Sequence, residues 1–155
     1  MPAITPSYLY TFFAIIAVSS ILLVSFIDYA SAIRTSSEMG RLKDLMDSVA
    51  AKATQLISLS RATNATAEAF IQAPAAIGDR QYWLMIRNDS SKVWLEGGLG
   101  NTPTEGAGIR VYLPGMALAY GYFVSGYGAI CLKCSINRKA GIPEIQLSSS
   151  SLNGG

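Results

Sequence analysis

Cys131-Leu132-Lys133-Cys134 is the one place in this chain where two reactive thiols stand close together in sequence. A Cys-x-x-Cys pair supports redox exchange when a strand feeds it into a helix N-terminus, and metal binding when two further ligands join it. Here β-favouring residues flank the motif on both sides, and the chain has only these 2 Cys and no His. In a regular strand, residues three apart point to opposite faces, so Cys131 and Cys134 can bond only across a local turn or bulge. The pair is read as a structural disulfide or as two buried thiols. The lack of His also removes the commonest general base and metal ligand. No GxxxxGK[ST] or GxGxxG pattern occurs. No catalytic residue, metal or cofactor is therefore expected.

Two further patterns concern modification. Asn64-Ala65-Thr66 and Asn88-Asp89-Ser90 match the N-glycosylation acceptor and fall in a predicted loop and turn. The Ser148–Ser151 run offers hydroxyls for O-linked sugar, but a Ser/Gly-rich flexible tail is the simpler reading. Net charge is +2 and Arg138-Lys139 is the only adjacent basic pair, so there is no electrostatic footprint for nucleic acid.

The elements that carry these residues begin with an apolar run from Tyr8 to Ile27; the first charged side chain is Asp28. About 20 such residues make a helix about 30 Å long, the thickness of a bilayer core. A secretory signal would carry a basic segment first and a shorter apolar core, and no Lys or Arg precedes Tyr8. The run is read as a transmembrane helix, or as one that sits in a membrane first and later packs against copies of itself. Thr5 suits the N-cap and Pro6 the first helical position.

Beyond Asp28 the pattern turns amphipathic rather than breaking. Ile33, Met39, Leu42, Leu45, Met46, Val49, Ala53, Leu56 and Ile57 recur at helical spacing, with Glu38, Arg41, Lys43, Asp44, Asp47 and Lys52 between them. One helix is predicted from Pro6 to about Ser60, with Gly40 as a tolerated weak point; the alternative is an anchor helix followed by a separate helix, with Gly40 as the hinge. After Asn64 the period changes to that of strands. Strands are predicted over residues 66–72, 81–87, 92–96, 109–113, 118–124, 127–136 and 142–147. Asn88–Ser91 and Ser125-Gly126 are expected to turn hairpins, and residues 142–147 to form an edge strand that tolerates Pro143. Gly97-Gly98-Leu99-Gly100 and Gly106-Ala107-Gly108 read as loops. Tyr82, Trp83, Trp94, Tyr112, Tyr120, Tyr122, Phe123 and Tyr127 are expected to supply core and subunit contacts.

The expected fold is therefore α+β. A helical segment over residues 1–62 has an apolar part at 8–27 and an amphipathic part at 28–60. A β-sandwich-like antiparallel domain over 63–148 packs on the exposed half of the helix, and a tail spans 149–155.

This order resembles the archaeal type IV pilins and archaellins: a short stub (Met1–Thr5), an apolar segment, an amphipathic continuation and an all-β domain. The middle of the chain is similar too. Arg41-Leu42-Lys43-Asp44-Leu45-Met46-Asp47 leads into Asn64-Ala65-Thr66-Ala67-Glu68-Ala69-Phe70, then Ile77-Gly78-Asp79-Arg80-Gln81-Tyr82-Trp83-Leu84-Met85-Ile86 and a charged hairpin. The likeness covers the whole chain as architecture and only loosely as motif. It implies a subunit of an extracellular filament, made with a basic leader that a membrane peptidase removes. Such a subunit is held in the cytoplasmic membrane, then drawn by an ATPase-driven assembly machine into a homopolymer. It also implies that Tyr8, Phe12, Phe13, Ile16, Ala17, Ser20, Leu23, Val24 and Ile27 line the filament core, with the β domain outside, where it serves adhesion. The numbering would then be that of the mature chain. Thr5 stands where bacterial pilins carry glutamate, which favours the archaeal branch. The competing expectation is a non-polymerising single-pass membrane protein with an extracytoplasmic β domain, an accessory or stator-like part of a surface filament machine.

Overall fold

The computed structural model describes residues 6–150. The N-cap expected of Thr5 and most of the predicted tail lie outside them.

Helix α1 spans Pro6–Thr63 without interruption. Pro6 opens it, where a missing N–H costs nothing. Gly40 is absorbed in mid-helix, with nothing near its side-chain position. The helix ends at Asn64, whose φ of 52° is the left-handed conformation that Asn tolerates better than most residues. In the last turn Arg61 donates from Nη2 to the Met116 carbonyl at 2.7 Å, which ties the helix end to the sheet.

Seven strands follow: β1 (Ala67–Ile71), β2 (Tyr82–Asn88), β3 (Val93–Leu99), β4 (Ile109–Leu113), β5 (Leu118–Val124), β6 (Ala129–Ile136) and β7 (Pro143–Ser150). They form one sheet in the order β1-β6-β7-β5-β2-β3-β4. Every pairing is antiparallel except β5 with β7, which is parallel. The α+β class is as expected; the layer facing the sheet is the helix itself. Leu42, Met46, Val49, Ala53, Leu56 and Ile57 of α1 are buried with Tyr82, Leu84, Ile86, Leu95, Phe123, Ile130, Leu132, Ile145 and Leu147 of the sheet. Each Leu, Ile, Val, Met or Phe among them contributes about 1.5–3 kcal/mol on leaving water. Ile33 departs from the expected stripe and is exposed. The chain divides into two compact units, Met1–Ser37 and Glu38–Gly155, so α1 belongs to both.

Four local expectations are corrected. Gly97 and Gly98 lie inside β3, not in a loop. A Cβ on Gly97 would stand 2.7 Å from Met46 Sδ, and one on Gly98 2.9 Å from the Trp83 ring, so glycine here lets the helix and the indole approach the strand. The β7 strand is interior, because it inserts between β5 and β6; the edges are β1 and β4. Pro143 is tolerated because it is the first residue of β7. For the same reason Ser125-Gly126 does not turn a hairpin: β5 and β6 are separated by β7. Ser148–Ser150 belong to β7 rather than to a flexible tail.

Candidate functional site

The unit of α1 before Glu38 is distinguished by what it lacks. No described residue from Pro6 to Ser37 is buried. Tyr8, Phe12, Phe13, Ile16, Leu23, Val24 and Ile27 are all exposed large hydrophobics, and Ala17 and Ser20 are exposed beside them. Within the apolar run the polar atoms are satisfied locally. Thr11 Oγ1 donates to the Ser7 carbonyl at 2.9 Å, and Ser20 Oγ to the Ile16 carbonyl at 2.8 Å. Such back-bonding is how a hydroxyl is carried in a helix that has no water around it. The helix is long and apolar enough to cross a membrane, either as an anchor or as a signal. Apolar on all sides, it has no single face for its own sheet to cover.

The thiols sit where strand geometry sends them. Cys131 and Cys134 are both in β6 and both free. Cys134 is buried against α1, where Ser60 Oγ donates to its carbonyl at 3.3 Å. Burial pushes the Cys134 thiol pKa up, which keeps it protonated and unreactive. Cys131 pairs across to Phe70 and Ser148 on the other side of the sheet. The disulfide alternative is set aside, since β6 has no bulge or turn to bring the sulfurs together.

The two acceptor asparagines differ. Asn64 is exposed at the helix terminus. Asn88 is half-buried at the end of β2; its Oδ1 accepts from the Ala119 N–H at 3.0 Å and its Nδ2 donates to the Asp89 carbonyl at 3.4 Å. Its amide is committed to holding β5 against the β2–β3 turn. Asp89 closes that turn, accepting at Oδ1 from the N–H groups of Ser91 and Lys92 at 2.8 and 2.9 Å, which lowers its carboxyl pKa.

The sheet face away from the helix holds what the sequence did not reveal. Tyr82 and Phe123 are core, as expected, and Trp83 is buried on this outer face. Tyr112, Tyr120, Tyr122 and Tyr127 are exposed, against the core expectation, because strand alternation directs the first three to the side that α1 does not cover. Beside Trp83, Glu96 is fully buried, taking the Gly108 N–H at 3.4 Å and facing Arg110 Nε at 3.7 Å. Arg110 also stacks over Trp94, 5.5 Å from the ring centroid. With its charge opposed and no nucleophile or second acid beside it, Glu96 is structural. Among the described residues no group of three or more His, Cys, Asp or Glu could hold a metal ion.

One opening interrupts this face. The β5–β7 ladder stops at Gly121–Leu147. Beyond it Tyr122–Val124 pair only with β2, and Ser148–Ser150 only with β6. The strands part into a fork beyond Gly121, whose φ of 108° and close approach to the Leu147 backbone leave no room for a side chain at the last paired position. A cavity of about 650 Å³ fills the fork, walled by Tyr122, Val124, Tyr127, Gln146, Ser148 and Ser149. Only the exposed tyrosines hinted at it, and periodicity alone could not separate them from core residues. No protein-family model, curated protein or solved structure matches this chain.

Proposed function

We propose that this chain is a structural subunit of an extracellular filament of the archaeal type IV pilus kind, polymerising through residues 8–27 of α1 and carrying the sheet on the filament surface. The observation that carries this reading is a helix segment, apolar on every side, with no buried residue before Glu38. In water such a surface is untenable. In lipid it is stable, and there the hydrophobic gain from helix association largely vanishes, so close packing decides whether helices assemble. Ala14, Ala17, Ser19, Ser20 and Ser25 supply small side chains along this segment. The layout, with an amphipathic continuation into a β domain, is the one that resembles the archaeal pilins.

Mechanical shearing of cells tests the proposal. The chain is expected in the sheared, pelletable fraction as filaments visible by electron microscopy. If it stays entirely with the membranes, the reading fails and a non-polymerising anchored protein replaces it.

A further inference from the structure

The fork between β5 and β7 differs in chemistry from three other cavities of the sheet. The depression beside it, about 420 Å³, includes Arg87 and Glu105; a third includes Asp89 and Lys92; a fourth includes Lys92. Among the described residues no Asp, Glu, Lys or Arg lines the fork. Its polar groups are neutral: the Gln146 amide, the Ser148 and Ser149 hydroxyls and the two tyrosine hydroxyls. Two rings stand at it largely in solvent, Tyr122 at 61% and Tyr127 at 67% exposure. Among the described residues, the strand edges that face each other across the gap have no ladder partner. Backbone N–H and C=O groups there remain free to donate and accept.

We propose that this fork binds a short uncharged oligosaccharide. Such a ligand has apolar C–H faces, which lie flat on aromatic rings, and a rim of neutral hydroxyls, which both donate and accept. The fork supplies the matching halves, rings at Tyr122 and Tyr127 and neutral donors and acceptors at Gln146, Ser148, Ser149 and the strand edges. Its volume of about 650 Å³ falls within the usual range for small-ligand sites. Tyr122 also walls the neighbouring depression, together with Met85 and Tyr120, so a ligand longer than one sugar can continue across that ring. An anionic ligand would find no countercharge in the fork. An added peptide strand would find too little edge. The fork is about three residues deep, closed at one end by Gly121–Leu147 and crossed at the other by the chain passing from β5 to β6. Strand addition draws its affinity from a longer run of main-chain hydrogen bonds.

The site belongs to the sheet and does not depend on polymerisation, so its failure would leave the filament proposal standing. The test uses the full chain in micelles of an uncharged detergent without a sugar headgroup. It is probed with neutral glucose-, galactose- and mannose-based oligosaccharides of two to four units, with sialylated and sulfated oligosaccharides, and with short extended peptides. A neutral oligosaccharide is expected to bind. Tyr122→Ala and Tyr127→Ala should each weaken it about tenfold, with unchanged unfolding midpoints. Tyr112→Ala, on the β4 edge, should leave binding as it is. Tyr127→Ala lies in the exposed connection and carries the test alone if Tyr122→Ala disturbs the sheet. Binding of anionic sugars or peptides only, neutral binding that neither tyrosine variant weakens, or no binding at all would overturn the proposal.

Discussion

Residues 6–37 and 38–63 of α1 belong to one uninterrupted helix and have opposite surroundings. In the second stretch apolar residues form a stripe, and that stripe is buried: Leu42, Met46, Val49, Ala53, Leu56 and Ile57. In the first stretch they form a sleeve, and none is buried. Backbone hydrogen bonding treats both alike. What separates them is angular distribution. A stripe is satisfied by one sheet on one side, which the chain supplies itself. A sleeve requires apolar neighbours all round, which only lipid or other helices supply.

The largest effect that could break this contrast concerns assembly. Ala17→Leu and Ser20→Leu add bulk where the proposal needs close helix approach. Each is expected to abolish or grossly alter filaments seen by electron microscopy while the sheet stays folded. Normal filaments from both would remove the assembly role from the sleeve. Next comes a matched pair of truncations. Leu42→Ala empties a site in the core and should cost about 2–5 kcal/mol of unfolding free energy. Leu22→Ala, at a residue 65% exposed, should change it by less than about 0.5 kcal/mol. Both Trp residues, Trp83 and Trp94, lie in the sheet, so their fluorescence in a denaturant titration reports on this unit alone.

The same contrast explains what could be read in advance. The stripe and the sleeve were legible because helical period and residue type are local properties, and α1 runs only three residues past its expected end. Strand positions were legible for a similar reason. Strand order was not. Nothing local says that β7 returns between β5 and β6, yet that insertion makes Pro143–Ser150 interior, undoes the Ser125-Gly126 hairpin and opens the fork. The glycines at 97 and 98 were read from composition as a loop. Their role is tertiary, to admit Met46 and Trp83. That the two cysteines face opposite ways follows from the strand period alone, but the choice between a disulfide and two buried thiols does not, and Cys131 is only half-buried where a buried thiol was one expectation.

A prediction of intermediate size tests the close side of the stripe. Gly97→Val places a side chain where Met46 Sδ and Leu84 Cδ2 already stand, 2.7 and 2.9 Å from the new Cβ. Overpacking should cost about 1–3 kcal/mol in the same titration. No loss would mean that the helix stands further from β3 than described. Tyr82, buried under the same seam, gives a pH signature. Burial holds its phenol pKa up at about 12, against 10.0 for the free group. The folded state thus favours the neutral ring. The resulting stability is fully present below pH 10.0 and is lost as pH rises through about 12. Tyr82→Phe should give up about 1 kcal/mol at neutral pH, from the hydrogen bond to the Pro74 carbonyl at 2.8 Å. It should also lose stability less steeply than the wild type across that alkaline window. Parallel curves would place the ring in water.

The smallest expected effect is the sharpest discriminator within the sleeve. Ser20 presents both a small volume and a hydroxyl, and assembly could depend on either. The hydroxyl already donates to the Ile16 carbonyl of its own helix at 2.8 Å, so it has no proton left to give a neighbour and can only accept. Volume is then the property that matters to an approaching helix. Ser20→Ala preserves the volume and removes the hydroxyl. It should leave filament yield and sheet stability unchanged, while Ser20→Leu removes filaments. If Ser20→Ala alone weakened the filaments, the hydroxyl would be exchanging its internal bond for one between subunits. The sleeve would then associate through polar contacts rather than through packing.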